Sequence, residues 1–179
     1  LLPDSQLLQS WFPESFILYL PKDVVSGDFY WLVSDDDKLF VAAVDCTGHG
    51  VPGAFMSVLG HTLLSQIVTQ QKIHQPSAIL QELHRQTVLQ LQQQEDAANI
   101  RKDGMDLALT VIDKKTGTLT YSGAKRPLVY MDSEGLQIIK GDRFSIGDRP
   151  RTFEGDDLPF RDHVLPIEEV KQIFLFSDG

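Results

Sequence analysis

The order in which hydrophobic periodicity changes along the chain is its tightest constraint. Residues 16–20, 29–33 and 39–44 are short runs rich in Val, Ile, Tyr, Trp and Phe, divided by Pro, Gly and Asp, and they read as strands. Asp35-Asp36-Asp37-Lys38 reads as the polar, solvated turn of an antiparallel pair. The period then lengthens. Pro52 suits the first turn of a helix, and Phe55, Val58, Leu59, Leu63, Ile67 and Val68 recur at near-helical spacing. A second helix follows Pro76, with Ile79, Leu80, Leu83, Thr87, Val88 and Leu91 on one face and Gln, His and Arg opposite. After a polar linker over 95–102, strand patterns return at 107–112, 119–122, 128–131, 136–139 and 173–176, with turns at Lys115-Thr116-Gly117 and Ser133-Glu134-Gly135. Strands, then two consecutive helices, then strands again are not the alternation of βαβ units. They predict an α+β fold in which antiparallel sheets pack on each other as a sandwich flanked by α-helices. Residues 141–166, rich in Pro, Gly and charge, read as a long loop or flap with short strands.

A chain of 179 residues with 42% apolar content suffices for one core, so residues 1–179 are expected to form one domain, with 1–11 as a leading segment. Sixteen basic against 25 acidic residues give a formal charge of −9, which argues against a surface for nucleic acid. The single cysteine, Cys46, allows no intrachain disulfide and no thiolate cluster, and fits a reducing cytoplasm. No apolar run approaches the roughly 20 residues that span a bilayer, and no signal-peptide pattern opens the chain. Membrane anchoring is left to any region outside this chain. Leu1 in place of Met and a stop at Phe176-Ser177-Asp178-Gly179 read as ends cut from something longer.

Three aspartates stand where strand patterns begin or end, each near glycine: Asp28, Asp45 and Asp178. Carboxylates on rigid strand ends, with glycine permitting close backbone approach, are what a hard divalent cation requires, and Mg²⁺ or Mn²⁺ suits them better than zinc. Turn formation competes as the reading of any one of them alone. The run Gly48-His49-Gly50-Val51-Pro52-Gly53 opens the first long helix but lacks the Gly-Lys-Ser/Thr ending of a P-loop. Its expected work is to turn the chain sharply after Asp45, so that the carboxylate and the next main-chain carbonyl face one cavity. His49 is a candidate proton donor to a leaving alkoxide, or a hydrogen-bonded support of the loop.

Together, Val25-Ser26-Gly27-Asp28-Phe29-Tyr30-Trp31, the run from Asp45 through Gly48-His49-Gly50 to Ser57, Asp103-Gly104-Met105-Asp106, Ser122 to Leu128, Ser145-Ile146-Gly147 and Phe176-Ser177-Asp178-Gly179 resemble the SpoIIE/RsbU-like bacterial branch of the PPM family, which also holds the protein phosphatase 2C enzymes. The resemblance implies a β-sandwich with a two-metal Mn²⁺/Mg²⁺ site at one edge. It further implies Asp45 as bridging ligand, Cys46 as a ligand through its carbonyl, Asp28 bound through water, and Asp178 on the second ion. The implied activity is hydrolysis of phosphoserine or phosphothreonine on a regulatory protein such as an anti-sigma-factor antagonist, under an upstream sensor domain, with a homodimer as a further possibility. No phosphoenzyme is required, and the Cys-x5-Arg cradle that would make Cys46 a nucleophile is missing.

Two departures qualify the resemblance. The family completes its metal site with an aspartate beyond the Asp178-Gly179 pair, so the last elements of the domain are expected to lie past Gly179. Where many relatives carry Ala-Gly-His before a proline, this chain has Gly123-Ala124-Lys125-Arg126-Pro127. Arg126 is a candidate contact for a substrate phosphate, with a solvated hairpin turn as the competing reading. Asp103 and Asp106 are candidates for a peripheral third cation or, alternatively, for turn formation and solvation. A catalytically inactive module that keeps the fold and acts by binding is the alternative to a phosphatase.

Overall fold

A computed structural model describes residues 5–21, 26–48, 50–92, 104–147 and 159–177. Three helices, α1 (Ser5–Trp11), α2 (Gly50–Thr69) and α3 (Pro76–Gln92), accompany eight strands among them. The strands are β1 (Phe29–Asp35), β2 (Lys38–Cys46), β3 (Met105–Asp113), β4 (Thr118–Ala124), β5 (Leu128–Met131), β6 (Leu136–Ile139), β7 (His163–Pro166) and β8 (Gln172–Phe174). They form a five-stranded sheet in the order β1-β2-β3-β4-β7 and a three-stranded sheet in the order β6-β5-β8. Every ladder within both sheets is antiparallel, as the clustering of strand patterns around two helices predicts.

Side-chain alternation divides the core in two. Phe40, Ala42 and Val44 of β2 and Leu107, Leu109 and Val111 of β3 face α2 and α3, meeting Leu63, Leu64, Ile67, Leu80 and Leu83. Leu39, Ala108, Ile112, Leu119 and Tyr121 point the other way and pack with Leu128, Tyr130, Ile139 and Ile173 of the smaller sheet. One sheet therefore serves both layers, and its two faces are both apolar. Close approach of α2 is made at Gly60, where an added Cβ would meet Met105 Sδ at 2.6 Å and the Phe29 ring at 3.1 Å. The Trp31 indole donates to Ser65 Oγ at 3.0 Å and fixes the helix along β1. By length and composition α2 could cross a membrane, contrary to the sequence expectation, but seven of its residues are buried, which makes it a core helix.

Residues 16–20 depart from their predicted strand: they form no ladder with any of the described residues. Phe16, Leu18 and Leu20 are exposed, and Tyr19 anchors the segment instead. Its hydroxyl donates to the Asp28 carbonyl at 3.1 Å and its ring meets Tyr30 edge-on at 5.9 Å. Alternation registered an extended backbone, but side chains hold it rather than a ladder. The leading segment contains α1, whose Leu7, Leu8 and Trp11 pack on the second core layer. The turn at 35–38 is a two-residue hairpin with Asp36 at φ 52°. It is less solvated than expected, since Asp35 accepts from Lys72 at 2.9 Å and bonds His74 at 2.8 Å, tying the hairpin to the α2–α3 connection. The described parts of 141–166 contribute isolated bridges at Asp142 and Ile146 and the edge strand β7, in keeping with a loop carrying short strands. The linker at 95–102 lies outside the described residues.

Candidate metal centre

Strand register builds the site. In the β1–β2 ladder Phe29 faces Val44, so Asp28 and Asp45 stand one residue beyond that pair at the same end of the sheet. The β2–β3 ladder then sets Asp45 opposite Asp106. Three neighbouring strands thus bring an aspartate to one edge. Asp45 shares the parity of Leu39 and Val41, and Asp106 that of Ala108 and Ile112, so both belong to the face turned toward the smaller sheet.

Glycines let three backbones meet beneath this row. A Cβ on Gly27 would lie 2.9 Å from the Gly48 carbonyl oxygen and 3.0 Å from that of Cys46. One on Gly53, in the first turn of α2, would come 2.5 Å from the Gly48 oxygen and 3.2 Å from Gly27 Cα. Gly48 and Gly50 take φ of 93° and 64°, a region L side chains disfavour, which allows the sharp turn from β2 into α2. Hydrogen bonds complete the clamp. Ser57 Oγ donates to the Ser26 carbonyl at 2.9 Å, the Asp28 amide donates to Ser26 Oγ at 3.0 Å, and Thr47 exchanges bonds with Gly104.

Charge around the row is balanced from the β4–β5 turn. Arg126 forms an ion pair with Asp45, the two side chains only 14% and 23% exposed. Lys125 Nζ lies 3.7 Å from Asp106 Oδ1. Hydroxyls fill further lone pairs: Ser145 donates to Asp106, and Ser177 donates to Asp28 Oδ2 at 2.7 Å. Burial, and then the negative charges of Asp45 and Asp28, push the Cys46 thiol far above its ordinary range. This keeps it a protonated thiol at neutral pH and not a ready nucleophile.

Of the residues singled out from sequence, Asp28, Asp45, Cys46 and Arg126 come together here. Arg126 engages Asp45, a partner the sequence reading did not consider. His49, Asp103 and Asp178 lie outside the described residues, although Ser177, which directly precedes Asp178, reaches Asp28. Asp106, expected either to serve a peripheral third cation or to form a turn and be solvated, stands directly opposite Asp45. Lys125, Ser145 and Ser177 were not singled out; all three lie within the quoted motifs, but only the folded register shows what they touch. Among the described residues, no group of three His, Cys, Asp or Glu side chains converges closely enough to cage an ion. The oxygen donors that the register brings to this edge, the Asp28 and Asp45 carboxylates and the main-chain carbonyls packed on Gly27, are hard ligands and fit Mg²⁺ or Mn²⁺ better than a thiophilic metal.

Comparison with known proteins agrees with the fold. The profile of stage II sporulation protein E (SpoIIE) matches residues 35–179. The SiaA-PP2C domain of Pseudomonas aeruginosa is 33% identical, with a TM-score of 0.75 over 93% of this chain, which spans 61% of that chain's length. The SpoIIE phosphatase domain of Bacillus subtilis superposes with a TM-score of 0.59 at 17% identity, covering 79% of this chain and 37% of the other. The RsbU and RsbW domains of a Mycobacterium tuberculosis protein give 0.56 at 20% identity, covering 80% and 37%. At such identities these last two likenesses speak for the fold alone. No match is found among curated protein sequences.

Proposed function

We infer that this chain, which belongs to the SpoIIE family of PP2C-type phosphatase domains, removes phosphate from phosphoserine or phosphothreonine of a regulatory protein in a divalent-cation-dependent reaction. The feature that supports this reading is the register that sets Asp28 and Asp45 side by side at one end of the five-stranded sheet, next to the Cys46 and Gly48 carbonyls that pack against Gly27. Uncatalysed phosphate-monoester hydrolysis is among the slowest reactions known, with enzymes accelerating it by up to about 10²¹-fold. Two ions, when bound, supply Lewis acidity that makes hydroxide available near pH 7 and offsets charge on the phosphoryl oxygens. In this chain Asp45 would bridge them, Cys46 would offer its carbonyl, Asp28 would bind through water and Asp178 would hold the second ion. His49 is positioned in sequence to protonate the leaving alkoxide, and Arg126 to meet the substrate phosphate once it leaves Asp45. The likeness to a structure of RsbX in complex with magnesium supports Mg²⁺ as one of the ions, Mn²⁺ being the other candidate.

Likeness to RsbU and RsbW domains and to a stressosome component supports a regulatory protein partner, such as an anti-sigma-factor antagonist; the cytoplasm is proposed as its location on the single cysteine. An upstream sensor domain and a homodimer belong to the same proposal. A second reading, a PPM-fold module that acts by binding, is favoured by one feature: the Asp45 carboxylate is already paired with a guanidinium. Release of phosphate from a phosphoserine peptide with Mn²⁺ or Mg²⁺, lost on chelation and in Asp45→Asn, is the expected result. Absence of turnover with either ion, or equal turnover in Asp45→Asn, would overturn the enzymatic reading.

A further inference from the structure

The β4–β5 turn is held from several sides for a corner so short. Lys125 takes φ 58°, a conformation uncommon for a residue with a side chain. Its amide donates to the Asp142 carbonyl at 2.7 Å, the Asp142 amide donates to the Gly123 carbonyl at 2.8 Å, and the Tyr121 hydroxyl donates to the Arg126 carbonyl at 2.5 Å. Asp142 is fixed in turn by the Arg161 amide at 2.9 Å and its Nε at 2.8 Å. Gly141 packs so closely that a Cβ there would stand 2.7 Å from the Arg126 oxygen. Backbone held this firmly is not needed to make a solvated hairpin tip. What it accomplishes is to deliver two consecutive cations onto two aspartates that face each other across the β2–β3 ladder: Arg126 onto Asp45 and Lys125 toward Asp106.

We propose that this turn is a built-in counter-cation: Arg126 holds Asp45 when no metal is bound and competes with the divalent ion for the same carboxylate. The proposal rests on the reading of Asp45 as a metal ligand. A guanidinium keeps its proton at any pH a protein tolerates, so it cannot vacate the carboxylate by titration. It must swing aside or surrender an oxygen, and the free energy of that step subtracts from metal affinity. Two mutually exclusive cations at one carboxylate are linked reciprocally, since whatever weakens one strengthens the apparent affinity of the other. Lys125 provides an internal control. It carries the same charge one residue away, but is 46% exposed and 3.7 Å from its acid, so it acts on the metal mainly through solvent-screened field.

The test is calorimetric titration of the whole chain with Mn²⁺, together with melting temperatures with and without the ion. Arg126→Gln should bind Mn²⁺ at least tenfold more tightly than wild type, about 1.4 kcal/mol. Its metal-free melting temperature should fall and its gain on adding Mn²⁺ should exceed that of wild type. Lys125→Ala should change affinity less than threefold. Equal effects of the two substitutions would reduce the contact to general electrostatics and overturn the proposal, as would unchanged affinity in Arg126→Gln. Should that variant not fold, Arg126→Lys, with a point charge and shorter reach, should bind Mn²⁺ more tightly than wild type by a smaller factor; unchanged affinity there again overturns competition. Asp45→Asn separates the two levels. If it abolishes Mn²⁺ binding while Arg126→Gln matches wild type, competition alone fails. If it binds Mn²⁺ as well as its parent, the metal reading fails and the proposal with it.

Discussion

Gly53→Ala should destabilise the protein although it places alanine, the best helix former, in a helix. In an open helix the exchange would gain about 1 kcal/mol at most. Here the added methyl would lie 2.5 Å from the carbonyl oxygen of Gly48, 3.0 Å from its carbon and 3.2 Å from Gly27 Cα. All three atoms are backbone, so no rotamer change can relieve the clash. Either α2 or the loops carrying Asp28 and Asp45 must shift. Overpacking of this kind costs about 1–3 kcal/mol and more where the obstacle is main chain, which leaves a net loss of about 1–2 kcal/mol. For a domain of this size that lowers the melting temperature by roughly 3–6 °C. Urea unfolding should show a reduced midpoint at unchanged slope, and Mn²⁺ affinity should fall with it, because the displaced atoms form the floor of the site. Gly60→Ala makes the informative comparison: its nearest obstacles are Met105 Sδ and the Phe29 ring, side-chain atoms of which the thioether can move. It should cost less than Gly53→Ala and leave metal affinity unchanged. A Gly53→Ala protein as stable as wild type, with undiminished Mn²⁺ binding, would refute the idea that the three backbones are in contact.

Two further outcomes follow from packing and charge. Leu64 is fully buried between α2 and the five-stranded sheet, so Leu64→Ala should cost about 2–5 kcal/mol in urea unfolding; a loss below about 1 kcal/mol would contradict its place in the core. The Asp35 carboxyl is held below its usual range by the hydrogen bond from Lys72 first, and also by that to His74, with burial opposing. A depressed folded-state value means stabilisation that is present above the ordinary value of 3.8 and lost as pH falls through the folded one. Asp35→Asn should therefore be less stable than wild type at pH 7 and converge with it in acid, as read by melting temperature against pH; a constant gap down to acid would refute the linkage.

The fold was legible because its information is local. Two helical stripes flanked by strand alternation specify an antiparallel sheet with helices on one face, and the turns at Asp36 and Gly117 carry their own chemistry. What failed at residues 16–20 failed for a local reason as well. Alternation reports an extended backbone, and the anchor that replaced a ladder, Tyr19 on the Asp28 carbonyl, is a contact between segments that no periodicity encodes. The site was legible only in part. Asp28 and Asp45 stand at strand ends near glycines, a signal that survives in one dimension. Asp106 was legible only as a candidate for a peripheral cation or a turn, because its place comes from register: it faces Asp45 only once β2 and β3 are aligned.

The same register explains why Arg126 could not be understood from its own neighbourhood. It lies 81 residues from Asp45, and its sequence context of glycine, lysine and proline reads as a turn. Yet a sheet edge that gathers Asp28, Asp45 and Asp106 accumulates like charge in a partly buried place, and such a row is unfavourable unless a cation or hydrogen-bond donors face it. Ser177 serves Asp28, Ser145 and Lys125 serve Asp106, and Arg126 serves Asp45. Each acid thus has a donor drawn from this chain. On the proposed reading of this edge as a divalent-ion site, it must remain folded before the ion arrives, and donors that satisfy the carboxylates meanwhile compete with it. Tight internal neutralisation and tight metal binding cannot both be maximal at Asp45, and the firmness with which Tyr121, Asp142 and Gly141 hold the turn indicates where this chain sets that balance.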